Sequence, residues 1–240
     1  MPAFLKNYET FYGDHSKNPK GQDLDSFLEE YDTTKYENPS VTADILVFQH
    51  KKDLQSVTTG LKLLMVKRKD HPCIGYWALP GGFVNIREDV SMAAKRELEE
   101  ETNLKNIPIE QVYAWGEYDR DPRARIVTVS YLALVDEDLQ AKAGDDASDV
   151  TWADVSLNYL GNDEIEENGK ARLQHTYELK LISEEKELQL NATVTMTENK
   201  CGLLKEKDYQ VVKTDGIAFD HPRFIVQALL YIEEALKNNR

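Results

Sequence analysis

The sequence predicts a domain of mixed α/β (α+β) class that carries an extension at its start and an insertion near its end. Five segments rich in β-branched and aromatic residues have strand character: 41–48, 61–68, 110–119, 126–135 and 150–154. Two segments have helix character: 89–101, which contains strong helix formers, and 222–237, which is amphipathic. A chain of 240 residues is long enough for one domain of ordinary size with additions.

Composition argues against several classes of protein. The chain has 29 lysines and arginines against 43 aspartates and glutamates, and its net charge of −14 repels phosphate backbones, so we expect no nucleic-acid partner. It has no apolar run of about 18 residues, and its first residues lack a secretory signal pattern. Its two cysteines, Cys73 and Cys201, need no disulfide. We expect a cytoplasmic protein without a membrane partner.

Four regions follow from the pattern along the chain. Residues 1–39 form a polar extension with a short helix at 24–31, and residues 40–155 form the core. Residues 156–216 form a β-rich insertion, in which two alternating segments, 177–181 and 188–196, predict a β-hairpin with one apolar face. Residues 217–240 return to the core as a helix, for which we interpret Asp220 as a cap and not as half of a catalytic dyad with His221. Both additions offer apolar surface for a homodimer.

The helix at 89–101 carries an unusual group of carboxylates. Glu97, Glu100 and Glu101 have spacings i, i+3 and i+4, which place them on one stripe together with small apolar residues. Like charges on an inward face are unfavourable unless a cation neutralises them, and Mg²⁺ prefers carboxylate oxygens. The alternative is a solvated acidic face that binds nothing.

A longer pattern surrounds this helix. Gly82 is followed by five residues and Glu88, then by seven residues and the run 96–104, which reads RELEEETNL. This resembles the Nudix box, G-x5-E-x7-R-E-U-x-E-E-x-G-U, where U is a bulky aliphatic residue. The sequence departs from it at Asn103, which stands where the box has its last glycine. We expect Asn103 to adopt the left-handed conformation that ends the helix.

The resemblance implies a fold and a metal site. Nudix hydrolases have a mixed β-sheet sandwiched between helices, and their box glutamates bind catalytic divalent ions, Mg²⁺ with Mn²⁺ as the alternative. Here those ligands would be Glu97, Glu100 and Glu101, together with the carbonyl group of Gly82. Glu88 and Arg96 would form a structural ion pair that braces the loop against the helix.

Outside the box, the segments 67–84, 118–135 and 143–152 resemble the ADP-ribose pyrophosphatase-like branch, which includes regulators of NAD metabolism. That branch implies cleavage of ADP-ribose to AMP and ribose 5-phosphate, and its members are often dimers. The same box also serves other substrates, so nucleoside triphosphates, dinucleoside polyphosphates, NADH and sugar nucleotides stay open as alternatives.

Further site residues are candidates by residue type. The acidic loop at 143–149 offers a general base, for which we name Asp146, with Asp145, Asp149, Glu117 and Glu100 as alternatives. Phosphate groups could be bound by Arg68, Arg120 or Arg125, with Arg123 as a further choice. An adenine ring could stack on Trp77, although core packing explains this residue equally well; Trp115, Tyr118 and Tyr36 are further choices.

Two other functions compete with hydrolysis. One is a DNA-binding regulator that senses ADP-ribose; such proteins append a winged-helix domain, for which we expect no room because the sequence ends at Arg240. The net charge of −14 also disfavours it. The other is a Nudix domain that binds a ligand without cleaving it, which the three retained carboxylates disfavour.

Overall fold

The computed structural model describes residues 4–50, 54, 56–58, 60–136, 139–142, 147–201 and 206–238. The chain separates into two compact units, Met1–Pro39 and Ser40–Arg240. In the first unit, a 3-10 helix covers Glu9–Phe11 and helix α1 covers Leu24–Glu30. Asp23 caps α1, because its side chain accepts a hydrogen bond from the backbone N–H of Ser26.

The second unit is built on one large sheet. Its strands are β1 (Ser40–His50), β2 (Leu61–Arg68), β3 (Trp77–Ala78), β4 (Gly81–Phe83), β5 (Glu110–Trp115), β6 (Ile126–Asp136), β7 (Ala147–Glu167), β8 (Lys170–Ser183), β9 (Leu188–Asn199) and β10 (Lys207–Asp215). The order is β10-β9-β8-β7-β2-β1-β6-β5, with β3 beside β2 and β4 beside β1. Because β1 and β6 are parallel while the other strand pairs described are antiparallel, the sheet is mixed, as predicted.

Two helices cover opposite faces of this sheet. Helix α2 (Val90–Thr102) packs Ala94 and Leu98 onto a cluster that contains Ile45 and Val47 of β1. Helix α3 (His221–Asn238) packs onto the other face, where the core includes the alternate β1 residues Leu46 and Phe48. Successive side chains of a strand point to opposite faces, so the unbroken apolar run in β1 serves both layers. The predicted sandwich is confirmed.

The end of helix α2 matches the expectation for Asn103. This residue has φ of 58°, in the left-handed region, and its N–H donates to the carbonyl of Glu99 at 2.8 Å. Asparagine therefore provides the conformation for which the box has glycine. Asp89 stands at the N-cap position but makes no side-chain hydrogen bond there.

The β-rich insertion is larger than the predicted hairpin. Strands β8 and β9 form that hairpin, but β7 is 21 residues long and runs well past the predicted strand at 150–154, and β10 adds a further strand. The alternating apolar residues of the hairpin join the core cluster that contains α3. They are Tyr177, Leu179, Leu181, Leu190, Ala192, Val194 and Met196. This apolar face is thus used within the chain.

None of the described helices is long and apolar enough to cross a membrane.

Candidate functional site

Residues 79–82, called the turn below, lead from β3 into the start of β4 and place two glycines against strand β1. Gly81 pairs with Asp44, and Gly82 pairs with Ala43. A Cβ atom at Gly81 would overlap the backbone oxygen of Ala43 and lie 2.7 Å from Asp44 Oδ1. One at Gly82 would lie 2.5 Å from both carboxylate oxygens of Glu97. Glycine at both positions lets the turn approach β1 and α2 this closely.

The three glutamates of α2 have different partners. The carboxylate of Glu97 accepts a hydrogen bond from Arg96 Nη1 at 2.6 Å. Glu101 Oε2 accepts from the backbone N–H of Gly81 at 2.9 Å, so it ties the helix to the turn. Glu100 is more exposed and accepts from the same Arg96 nitrogen at 3.0 Å. Glu97 and Glu101 therefore adjoin the turn, while Glu100 is held by Arg96.

Arg96 also binds Glu88, the first carboxylate of the box. Arg96 Nε and Nη2 donate to the two Glu88 oxygens, each at 2.9 Å, and Nη2 also donates to the Phe83 carbonyl at 3.1 Å. The hydrogen bonds from Arg96 lower the pKa of Glu88 to about 2. The structure thus brings together the two residues for which the resemblance implies an ion pair, and they join the end of β4 to α2.

A cavity of about 530 Å³ opens beside the turn. Glu97 and Glu101 line it, together with several cationic side chains: Lys67, Arg68, Lys69, Arg96, Arg120 and Arg123. Carboxylates that can hold a divalent cation and guanidinium groups that can bind oxyanions are thus combined in one cavity. This combination suits a phosphate-bearing ligand.

Arg68 reaches this cavity with its position fixed by neighbours. Its Nε donates to the carbonyl of Pro72 at 2.8 Å, and its guanidinium carbon lies 4.9 Å from the ring centroid of Phe219. Because Nε binds Pro72 and the guanidinium group lies against Phe219, the terminal nitrogens Nη1 and Nη2 of Arg68 are the groups best placed to contact a ligand.

Arg120 is buried and engaged by protein groups. Its Nε and Nη2 donate to both carboxylate oxygens of Asp220, at 3.0 and 2.8 Å, and its Nη1 donates to Thr128 Oγ1 at 2.7 Å. Asp220 also binds Arg223, which pairs with Glu117 at 2.8 Å. Burial favours a higher pKa for Asp220, but the hydrogen bond and charge of Arg120 outweigh it, so the pKa is lowered. Asp220, which directly precedes α3, therefore also holds the side chains of Arg120 and Arg223 in place.

Two of the predicted site residues lie away from the cavity. Trp77 belongs to β3 and is buried in the core, and Arg125 Nη1 donates to the carbonyl of Glu117 at 3.0 Å. Neither is among the described residues that line the cavity. Asp146 and its neighbour Asp145 lie outside the described residues. The roles proposed for these residues stay predictions.

Asp44 and His221 form a buried pair behind the turn. His221 Nδ1 accepts a hydrogen bond from the backbone N–H of Leu79 at 3.0 Å, and its Nε2 lies 3.9 Å from Asp44 Oδ1. Burial raises the pKa of Asp44 to about 7 and lowers the pKa of His221 to about 3. Between these values the pair is neutral, because the aspartic acid keeps its proton and the imidazole takes none.

Asp44→Asn should change how stability depends on pH. The folded pKa of about 7 lies above the ordinary value of 3.8, so Asp44 contributes stability that is present below the unfolded pKa and is lost as pH rises through the folded pKa. Relative to wild type, the variant should therefore gain stability as pH rises from about 4 to about 8, by up to about 1.4 kcal/mol per pH unit. The contribution of His221 is common to both proteins.

Urea unfolding at a series of pH values measures this difference. Asp163→Asn, which removes an exposed carboxylate of β7, is the matched control and should show a constant difference from wild type. A constant difference for Asp44→Asn as well would mean that Asp44 is ionised throughout in the folded protein.

Comparison with protein families supports the interpretation of the box. The family model described as NUDIX domain matches residues 39–174, which is more than half of the chain. The chain belongs to the Nudix family. The match begins with strand β1 and contains the complete box on the turn and on helix α2.

Two curated relatives share part of this Nudix chain. The ADPR responsive transcriptional repressor NtrR of Acinetobacter baylyi is 39% identical over 113 residues, which are 46% of this chain and 42% of the relative. The ADP-ribose pyrophosphatase of Methanocaldococcus jannaschii is 38% identical over 96 residues, 40% of this chain and 56% of the relative. The chain thus spans about half the length of these relatives.

A solved Nudix structure extends the likeness beyond the box. The MutT/nudix family protein from Enterococcus faecalis has 32% sequence identity to this chain and a TM-score of 0.59. The alignment covers 86% of this chain and 68% of that one. With this coverage, the structural likeness must include much of the β-rich insertion as well as the Nudix core.

The Nudix box residues fit a divalent cation by donor type. Carboxylate and backbone carbonyl oxygens are the ligands that Mg²⁺ prefers. Within the described ranges, no three acidic, imidazole or thiol groups already converge on one point. Burial raises the pKa of Glu97 against the effect of Arg96, and a cation would relieve this cost. Glu97 and Glu100 each bind Arg96 through one carboxylate oxygen, so each carboxylate has lone pairs for a further partner such as a metal ion.

Sequence reasoning missed two residues beside the Nudix turn. Asp44 is an ionisable residue within the apolar run of 41–48, and a carboxylate in a buried strand was a signal that could have been used. For His221, the sequence suggested a catalytic dyad with Asp220 or a place in a helix start, and we preferred the helix start. Its contact with Leu79 spans 142 positions, and no local pattern predicts such a contact.

Proposed function

We propose that this chain is a divalent-metal-dependent hydrolase of a nucleoside diphosphate linked to another group, with ADP-ribose as the substrate and AMP and ribose 5-phosphate as products. Mg²⁺ is the proposed ion, with Mn²⁺ as a substitute. One observation carries the proposal: a single cavity is lined by the box carboxylates Glu97 and Glu101 and by several arginines and lysines. The named ADP-ribose pyrophosphatase relative supports the choice of substrate.

The metal would be held by Glu97, Glu100, Glu101 and the carbonyl group of Gly82. A bound divalent ion neutralises phosphate charge and lowers the pKa of a coordinated water. Arg96 would help to hold this site, because its guanidinium contacts Glu97 and Glu100. Its bidentate bond to Glu88 would keep it in place beside the bound ion.

The protein's own cations would bind and orient the diphosphate. Arg68 is braced by Pro72 and Phe219, so its remaining donors are directed with little loss of entropy on binding. Arg123 lines the same cavity and is held by Asp121 at 2.8 Å. Arg120 would act differently: its donors bind Asp220 and Thr128, so it supports the cavity wall.

The general base is proposed to be Asp146, in the acidic loop after β6. Two of the alternatives have cationic partners: Asp149 binds Lys186 Nζ at 2.8 Å, and Glu117 binds Arg223 at 2.8 Å. Burial favours a higher pKa for Asp149, but the hydrogen bond from Lys186 outweighs it and lowers the pKa, so Asp149 is a weaker proton acceptor. Glu117 is engaged by Arg223. These ion pairs disfavour Asp149 and Glu117, and we keep Asp146 as the proposed base.

A substrate panel tests the proposal. The purified protein would be incubated with Mg²⁺ and ADP-ribose, NADH, sugar nucleotides, diadenosine polyphosphates or nucleoside triphosphates, with an EDTA-treated sample as the control. We expect ADP-ribose to give AMP and ribose 5-phosphate, which chromatography identifies, and EDTA to stop the reaction. If another compound is cleaved in preference to ADP-ribose, the proposed substrate is wrong. If no compound is cleaved, the proposed hydrolase activity is wrong.

The similarity to NtrR favours a second candidate, an ADP-ribose-responsive regulator. In that case ADP-ribose would bind without being cleaved, and the protein would bind duplex DNA. Gel-shift assays at low salt, with and without ADP-ribose, separate the two functions. The net charge of −14 favours hydrolysis, because it opposes contact with a phosphate backbone.

A homodimer in the cytoplasm completes the proposal. The sheet has two edge strands, β5 and β10, which could contact a second copy. Light scattering during size-exclusion chromatography would give the mass to compare with 27.5 kDa for one chain.

A further inference from the structure

The turn that carries Gly82 is held from three directions. The backbone N–H of Ile45 in β1 donates to the carbonyl of Pro80 at 2.8 Å. Glu101 of α2 accepts from the N–H of Gly81. The third contact comes from the start of α3, where His221 accepts from the N–H of Leu79. Strand β1 and helix α2 are the expected neighbours of this turn, but α3 lies on the opposite face of the sheet.

The imidazole of His221 is fixed by its surroundings. The ring stacks on Phe224 with centroids 5.3 Å apart and lies 5.6 Å from the ring of Phe219. Because Nδ1 accepts an N–H, it carries no proton, and the neutral ring must carry its proton on Nε2, which faces Asp44. The ring thus presents a directed acceptor to one backbone group of the turn.

The backbone N–H of Leu79 belongs to a residue that is 2% exposed. A buried N–H that loses its acceptor must find another partner or move toward water. Either change would shift the turn, and the carbonyl of Gly82 is only three residues away. The turn has little room to shift, because Gly81 and Gly82 approach β1 and Glu97 so closely that only glycine fits at these positions.

We infer that His221 is a positioning residue for the metal-binding turn, which it fixes through the hydrogen bond from Leu79. The inference rests on the proposed function, since the turn is taken to supply a metal ligand. In this role His221 acts through Leu79, although it also lines the cavity. It couples helix α3 to the site across the sheet.

Two substitutions separate the hydrogen bond from the packing. His221→Phe keeps an aromatic ring but removes the acceptor, whereas His221→Asn supplies a side-chain oxygen near the position of Nδ1. We expect His221→Phe to weaken Mn²⁺ binding, measured by calorimetry without substrate, about tenfold. His221→Asn should stay within about threefold of wild type. His15→Asn, in the N-terminal unit, is the control and should bind Mn²⁺ as wild type does.

Hydrogen exchange provides a readout that is independent of metal. The amide of Leu79 should exchange faster in His221→Phe than in wild type and should stay protected in His221→Asn. Urea unfolding verifies that each variant folds, and His221→Leu replaces the phenylalanine variant if that one does not. The inference would be overturned if the folded apolar variant kept both the Leu79 exchange rate and the Mn²⁺ affinity of wild type. It would also be overturned if His221→Phe and His221→Asn lost Mn²⁺ affinity equally.

Failure of the proposed function would look different. In one outcome, wild type binds no Mn²⁺ and cleaves nothing, but the exchange rate of the Leu79 amide still depends on whether residue 221 has a hydrogen-bond acceptor. The proposed metal site would then be wrong, and the coupling of α3 to the turn would stand. If wild type bound Mn²⁺ but the variants did not differ in affinity or exchange, the enzyme would stand and His221 would have no positioning role.

Discussion

Glu97→Gln is expected to reduce hydrolysis at saturating Mg²⁺ by about a thousandfold without unfolding the protein. The substitution keeps the shape of the side chain but removes the charge that faces the Gly82 turn. Metal catalysis contributes several kcal/mol to such reactions, and each 1.4 kcal/mol is about tenfold in rate. Stability should be unchanged or slightly higher, because burial raises the pKa of Glu97 and so opposes its ionised form.

Glu99→Gln is the matched control on the same helix. Glu99 is exposed and pairs with Lys105 at 2.7 Å, so its loss removes a surface ion pair of small value. We expect its rate to stay within about twofold of wild type. Initial rates of product formation measure both variants, and urea unfolding verifies their folds. A Glu97→Gln enzyme as active as Glu99→Gln would rule out Glu97 as a metal ligand.

Alanine substitutions at the two glycines of the turn should affect different properties: Gly82→Ala should lower activity, and Gly81→Ala should lower stability. At Gly82, the new Cβ would meet the carboxylate of Glu97, which is the mobile end of a side chain and can move away. We therefore expect a loss of activity of about a hundredfold with a stability change below about 1 kcal/mol. The displaced carboxylate would no longer be beside the carbonyl of Gly82.

At Gly81, the new Cβ would meet the backbone of β1 at Ala43 and Asp44, in the interior of the sheet. Backbone in a sheet cannot move independently, so Gly81→Ala should cost roughly 3 kcal/mol of folding free energy. Unfolding midpoints and activities of the two variants are compared directly. Equal loss of stability in both, or full activity in Gly82→Ala, would contradict this account of the turn.

Local patterns were enough to predict the framework of the site. Strand β2 was predicted with its observed bounds, and the helix at 89–101 corresponds to α2 within a residue at each end. The left-handed conformation of Asn103 followed from its place in the box. These features depend on residues close together in sequence, whose conformational preferences act locally.

Other features needed the folded chain. Strand β7 continues through Tyr159 and Gly161 with a register shift, although the local sequence there is polar and has no clear strand pattern. Its pairing along β8 supplies the hydrogen bonds, and nonlocal pairing of this kind outweighs local propensity. Arg120 and Asp220 meet across 100 positions, and Trp77 faces the core instead of the cavity.

The sequence by itself determined the family, the box spacing and the stripe that brings Glu97, Glu100 and Glu101 to one helix, because helical periodicity fixes which side chains share a face. Tertiary structure alone decided what surrounds them. The fold brings Asp44 of β1 and His221 of α3 together behind the turn, and burial then shifts their pKa values in opposite directions. Desolvation depends on packing between distant segments, and no local pattern in the chain encodes it.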